Sequence, residues 1–250
     1  MFFLFACKIV NKSNEKNIKN YEVVFNKKEW INIQDLIPDA IVHLRYLTTE
    51  NFLGVKVEGY HANIAYLKVE VAEELKRVAD ALRKQGYRIV VYDSYRPMRA
   101  VQHFVRWDKD LNDHKKKAEY YPHIQKHTIF EKSYIAEDSN HTRGGTLDLT
   151  LIPIGQELKP IQKVKRTLNN GSDVLFLDDN TLDMYTSFDY FGEASHPGNN
   201  LIPDWAKKNR RILQQAMEVE GFEVSEREWW HFTYVSDALT QRYDFSIKAY

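Results

Sequence analysis

Two short stretches hold the residues best suited to chemistry: Ser139-Asn140-His141-Thr142-Arg143-Gly144-Gly145-Thr146-Leu147-Asp148 and, about eighty residues on, Glu228-Trp229-Trp230-His231. They offer two imidazoles, a carboxylate and a spare glutamate. A zinc ion held by three protein groups uses such a set and keeps a fourth position for water, whose pKa then falls toward about 7. His141, Asp148 and His231 are the candidate ligands, and Glu228 stands where it can take a proton from that water. The Gly144-Gly145 pair permits the bend that brings His141 and Asp148 to one point, since positions seven apart on a straight strand face opposite ways. Glu228 and His231 would also diverge on a regular strand, so the strand must begin after Glu228 or bulge there. These residues read as the centre of a zinc hydrolase. The remaining histidines, His43, His61, His103, His114, His123, His127 and His196, read as ordinary surface or hydrogen-bonded side chains.

The elements that must position these groups are legible in part. Val71, Ala72, Leu75, Val78, Ala79 and Leu82 recur at helical spacing and predict a helix over 69–83 that Gly86 stops. Tyr87–Tyr92 reads as a buried strand, ending at Asp93-Ser94-Tyr95-Arg96-Pro97, after which Ala100, Val101, Phe104 and Val105 mark a second helix. Arg96 thereby falls at a strand-to-helix junction. Residues 42–46 alternate enough for a strand, and 109–139 reads mainly as loop with short helical pieces. Leu147–Ile152 and Glu228–Tyr234 are further strands, 156–180 is a surface hairpin turning at Asn169-Asn170-Gly171, and Asp204 starts a helix that ends at Gly221. Helices and strands in this irregular order predict an α+β single domain, a small antiparallel sheet flanked by helices.

Composition narrows the function. The chain has 250 residues, 43% hydrophobic and 13% aromatic, enough for a sizeable core. Lys plus Arg and Asp plus Glu balance at 35 each, so no net field draws nucleic acid or an anionic membrane, and the expected substrate is small and zwitterionic or neutral. One cysteine, Cys7, excludes an internal disulfide framework and a cysteine-built zinc site. No apolar run is long enough for a transmembrane span. Residues 1–28 read as a signal-like or tether segment and 29–250 as the catalytic domain. Leu4-Phe5-Ala6-Cys7 resembles the end of a bacterial lipoprotein signal, which would place a lipid anchor on Cys7 and the enzyme at the cell envelope; the alternative is an apolar start on a cytoplasmic enzyme. The sequence leaves the compartment and the oligomeric state open.

The pattern Ser139-x-His141-x-Arg143-Gly144-x-x-x-Asp148-Leu149-Thr150-Leu151 with Glu228-Trp229-Trp230-His231 resembles the zinc-site motifs of the D-alanyl-D-alanine dipeptidase family, the vancomycin-resistance type of zinc peptidase. Tyr46-x-Thr48-x-x-Asn51-Phe52, Tyr92-Asp93-x-Tyr95-Arg96-Pro97 and Met184-x-x-x-Phe188-Asp189 extend the similarity from about Asp35 to Phe245. The resemblance implies the fold of zinc D-alanyl-D-alanine carboxypeptidases and the hedgehog signalling domain. It also implies one Zn²⁺ on His141, Asp148 and His231, with Glu228 as catalytic base and Arg96 steadying the oxyanion. Asp189, Ser139 and Tyr46 would grip the substrate's free ammonium, and aromatics including Trp229 and Trp230 would close a pocket for dipeptides. The implied reaction is hydrolysis of D-alanyl-D-alanine to two D-alanine by a zinc-bound water. The nearest rival is a related D,D-carboxypeptidase or endopeptidase acting on longer cell-wall peptides; a third reading is a binding module that keeps zinc without catalysis. The segment from Leu158 to Asp178 is longer than the family leads one to expect, which bears on access to the site.

Overall fold

The structure is a computed structural model that describes residues 24–250. The reading of Cys7 and most of the proposed tether lie outside the described residues. Packing reaches back to Phe25, whose ring stacks on Tyr250 at 4.3 Å between centroids.

Strands β1 (Trp30–Asn32) and β3 (Tyr66–Lys68) form an antiparallel pair, and β2 is only Ile41–Val42. Helix α1 (Val69–Lys84) buries the six apolar residues that the sequence spacing singles out. It leads into β4 (Tyr87–Asp93), α2 (Met98–Lys109), the short α3 (Lys117–Tyr120) and β5 (Thr146–Pro153). The antiparallel pair β6 (Gln162–Thr167) and β7 (Asp173–Asp178) is the expected hairpin. Helix α4 (Asp204–Val219), β8 (Phe222–Val224) and β9 (His231–Tyr234) complete the α+β fold. Among the described residues no helix is long and apolar enough to cross a membrane.

The main sheet runs β2-β4-β5-β9-β8. It is antiparallel except for β2, which pairs parallel to β4. Both central strands are buried without alternation, Ile89–Asp93 on β4 and Thr146–Ile152 on β5, so both faces are covered. The strand expected at 42–46 is not formed past Val42; Arg45–Leu47 turns as a 3₁₀ helix instead. The cause is a long-range one. Arg45 is buried and spends its guanidinium on Asp179, 2.5 Å away, and on Glu50, which pulls the chain out of the sheet.

Cross-strand register makes the site possible. Asp148 lies opposite His231 on one side and opposite Asp93 on the other, so three polar residues of β4, β5 and β9 stand in one row. Directly opposed residues share a face. The row depends on an irregularity between Val91 and Asp93, which inserts one extra β4 residue against β5 and brings Asp93, not Tyr92, across from Asp148.

Gly144 ends the 3₁₀ turn Asn140–Arg143 at φ +78°, and a Cβ there would collide with the Trp30 ring and crowd Lys68. Gly144→Ala therefore combines left-handed strain with overpacking, together about 3 kcal/mol. Thermal unfolding should show a midpoint lowered by about 10 °C. An unshifted midpoint would mean that Trp30 is not pressed against this turn.

Candidate active site

Three elements deliver the candidate metal ligands. Asp148 comes from β5, His231 is the first residue of β9, and His141 sits in the 3₁₀ turn before Gly144. Their ligand atoms lie within 4.8 Å of one another, the one such His/Cys/Asp/Glu group found among the described residues. His141 Nε2 is 3.3 Å from Asp148 Oδ2 and 3.3 Å from His231 Nδ1, and His231 Nδ1 is 3.0 Å from Asp148 Oδ1. Four ligands at about 2.0–2.1 Å around a tetrahedral zinc are separated by about 3.3 Å, so the spacing fits that ion.

The hydrogen bonding argues the same way. His141 Nδ1 is 2.6 Å from the carbonyl oxygen of Ser94, which can only accept, so Nδ1 carries the proton and a neutral His141 presents a bare lone pair at Nε2. That lone pair faces a carboxylate oxygen and a second imidazole nitrogen. One proton on His231 Nδ1 can serve only part of this group of acceptors; a divalent cation serves all three. The donor set of two imidazoles and one carboxylate suits zinc.

Around the ligands lies a cavity of about 190 Å³, whose lining includes Tyr46, Arg96, Ser139, Asp189, Glu228 and Trp230. Every residue expected to act on substrate thus borders one space with Asp148 and His231. Glu228 precedes β9, as its geometry with His231 requires, and its Oε2 is 3.6 Å from His231 Nδ1. Burial, reinforced by the negative charges of Asp148 and Asp189, pushes the Glu228 carboxyl well above the usual range. Asp189 is pushed up by burial and by the negative charges of Asp148 and Asp93, and accepts a hydrogen bond from Tyr46 Oη at 2.9 Å. Asp148 moves the other way: burial opposes it, but the imidazoles of His141 and His231 hold it well below the ordinary carboxylate range.

Arg96 is fixed from several sides. Its Nε donates to Asp93 Oδ2 at 2.9 Å, its Nη2 reaches toward Asp148 Oδ2 at 3.4 Å, and its guanidinium lies 5.2 and 5.1 Å from the ring centres of Tyr46 and Phe104. Asp93 also accepts from Tyr60 Oη at 2.7 Å. The role of Asp93 as the anchor of Arg96 was not read from the sequence; an aspartate three residues before an arginine at a strand end was the signal available.

One expectation is corrected. Trp229 is absent from the cavity lining, because its indole N–H donates to Thr186 Oγ1 and its ring packs at right angles to Trp230. Phe52, Phe104, Tyr134 and Phe191 join Trp230 as the aromatic walls. The segment 158–178 contributes nothing to the cavity and instead borders a neighbouring cleft, which shares Tyr134 with it.

The sequence profile of the D-ala-D-ala dipeptidases (peptidase M15) matches residues 26–161 and 172–248. The chain belongs to the D-ala-D-ala dipeptidase family. It is a peptidase. A D-alanyl-D-alanine dipeptidase of Enterococcus faecium is 34% identical over 217 residues, covering 84% of this chain and 96% of the relative. One from Streptomyces coelicolor is 30% identical, covering 86% and 96%. A solved structure of the vancomycin-resistance D,D-pentapeptidase VanY in complex with Zn(II) aligns at 17% identity and a TM-score of 0.38, over 72% of this chain and 80% of that one, too slight a likeness to bear on the site. Residues 162–171, which the family profile passes over, are β6 and the turn after it. The part of this chain that the family profile passes over therefore lines no part of the catalytic cavity, and its Leu168 and Asn170 border the neighbouring cleft.

Proposed function

We propose that the protein hydrolyses D-alanyl-D-alanine, the substrate for which its relatives are named, with zinc held by His141 Nε2, Asp148 and His231 Nδ1. The observation that carries this is the convergence of those three atoms beside Glu228, in a cavity that also holds a buried carboxylate at Asp189. Zinc, when bound, supplies a Lewis acid that activates water and polarises the scissile carbonyl.

The chain's own groups do the rest. Glu228 takes the proton of the attacking water on its carboxylate and hands it to the leaving amine; its raised proton affinity suits a group that must hold a proton between two steps. Arg96, a permanent cation kept in place by Asp93, stabilises the negative charge that develops on the carbonyl oxygen. Asp189, with Tyr46 and Ser139, receives the substrate's ammonium group. A buried carboxylate with one hydroxyl donor is under-compensated, and a cationic substrate end supplies what is missing.

This arrangement explains why a free amino terminus would be demanded. D-alanyl-D-alanine should be turned over with a kcat/KM at least about 100-fold above that of its N-acetyl derivative, about 2.7 kcal/mol for one buried charge pair. Steady-state kinetics on both compounds decides the matter. Preference for the blocked compound would select the carboxypeptidase or endopeptidase reading instead.

A further inference from the structure

Arg210 is a deeply buried cation that the proposed chemistry leaves unused. It projects from α4 and is 2% exposed, yet among the described residues no carboxylate forms a salt bridge with it. Its Nε and Nη2 donate to the carbonyl of Met184 at 3.0 and 2.8 Å, Nη1 to that of His196 at 2.9 Å, and Nη2 also to the carbonyl of Ala194 and to Thr186 Oγ1 at 2.9 and 3.0 Å. Burying an arginine without a counter-ion is costly, and a position kept for packing alone is better filled by an apolar side chain.

What Arg210 holds is the two ends of one loop, and Asp189 lies between them. The loop is strained: Tyr185 has φ +71° and Asp189 has φ +60°, a left-handed region that residues other than glycine enter only when surroundings hold them there. The hydroxyls carry the clamp inward. Ser195 Oγ donates to the carbonyl of Tyr190 at 2.7 Å, so in its 3.1 Å contact with Thr186 it must accept. Thr186 Oγ1 therefore donates to Ser195 and uses both its lone pairs for Arg210 and the Trp229 indole. The relay runs from Arg210 through Thr186 and Ser195 to the carbonyl of Tyr190, the residue after Asp189. Trp229 N–H, bonded to the Ser195 carbonyl at 3.0 Å, ties the Glu228 turn to the same frame.

We infer that Arg210 is a positioning residue, which acts through Thr186 and Ser195 to hold the Asp189 carboxylate where the substrate ammonium arrives. The inference rests on the proposed dipeptidase reading, and the two fail differently. If wild-type protein loaded with zinc does not hydrolyse D-alanyl-D-alanine, the functional reading falls. If it does, Arg210→Lys and Thr186→Val test the relay. Lysine keeps the charge but has one nitrogen and cannot span both loop ends; valine keeps the shape of threonine and removes the node.

In each variant KM for D-alanyl-D-alanine should rise about tenfold, the zinc content should stay that of wild type, and kcat should fall less than KM rises. A purely structural role lowers the active fraction, which reduces apparent kcat and leaves KM alone. Wild-type KM in either folded variant, or unfolding of both at the assay temperature, overturns the inference.

Discussion

Glu228→Ala should lower kcat for D-alanyl-D-alanine by about 10³-fold, within the range that a general base contributes, while the protein still takes up zinc. The separation of these two effects follows from placement. Glu228 stands outside the three ligands, with its Oε2 3.6 Å from His231 Nδ1. The main chain around it is held by bonds that the substitution leaves alone, from Trp229 N–H to the Ser195 carbonyl and from Leu149 N–H to the Trp230 carbonyl. Stability should not suffer either. Burial and the charges of Asp148 and Asp189 raise the carboxyl's proton affinity above its unfolded value, so the ionised form of the group weakens the folded state. Taking it away removes a destabilising charge, as expected where a site is tuned for chemistry. Kinetics and metal analysis on the same preparation provide the check. A folded, zinc-loaded variant that keeps more than a tenth of the turnover would remove Glu228 from the role of base.

The residues of this site were legible in the sequence because their chemistry is local in the chain. His141 and Asp148 are joined by a glycine bend, and Glu228 precedes His231 by three residues; both spacings carry a geometric demand that the structure meets. Gly144 does turn the chain at positive φ, and β9 does begin after Glu228. The helices were equally plain, since α1 and α4 each carry a sustained apolar stripe. What escaped were features decided by distant partners. Arg45 leaves a strand-like run because Asp179 lies across the fold. Trp229 turns from the cavity because Thr186 accepts its N–H. Arg210, an arginine on a helix full of charged residues, looks like a surface group until the carbonyls of Met184, Ala194 and His196 are seen around it. A sequence shows the residue type but not the acceptor that will meet it. The short strands β1, β3 and β8, three residues each, carry too few positions for a period to show.

His141→Ala tests the metal itself. His141 is the candidate ligand with no exposure at all, and its orientation leaves no choice of donor atom: the Ser94 carbonyl fixes the proton on Nδ1 and turns Nε2 toward Asp148 and His231. Alanine removes a third of the ligand set and with it the acceptor arrangement that calls for a cation. An ion that binds only the folded state at about a thousand times its Kd adds about 4 kcal/mol, which for a chain of this size raises the unfolding midpoint by about 10 °C. Chelator-stripped wild-type protein should show that rise when zinc is restored, together with the return of hydrolysis. The variant should show neither. Its metal-free form should also melt lower than metal-free wild type, by the equivalent of about 2 kcal/mol, since the Ser94 carbonyl loses its donor and a buried cavity opens. That second shift separates loss of the ligand from loss of the fold: a variant that is folded at the assay temperature yet indifferent to zinc places the metal on Nε2. Calorimetry with and without zinc reads both quantities. Wild-type zinc affinity in the folded variant would leave Asp148 and His231 sufficient by themselves and remove His141 from the ligand set.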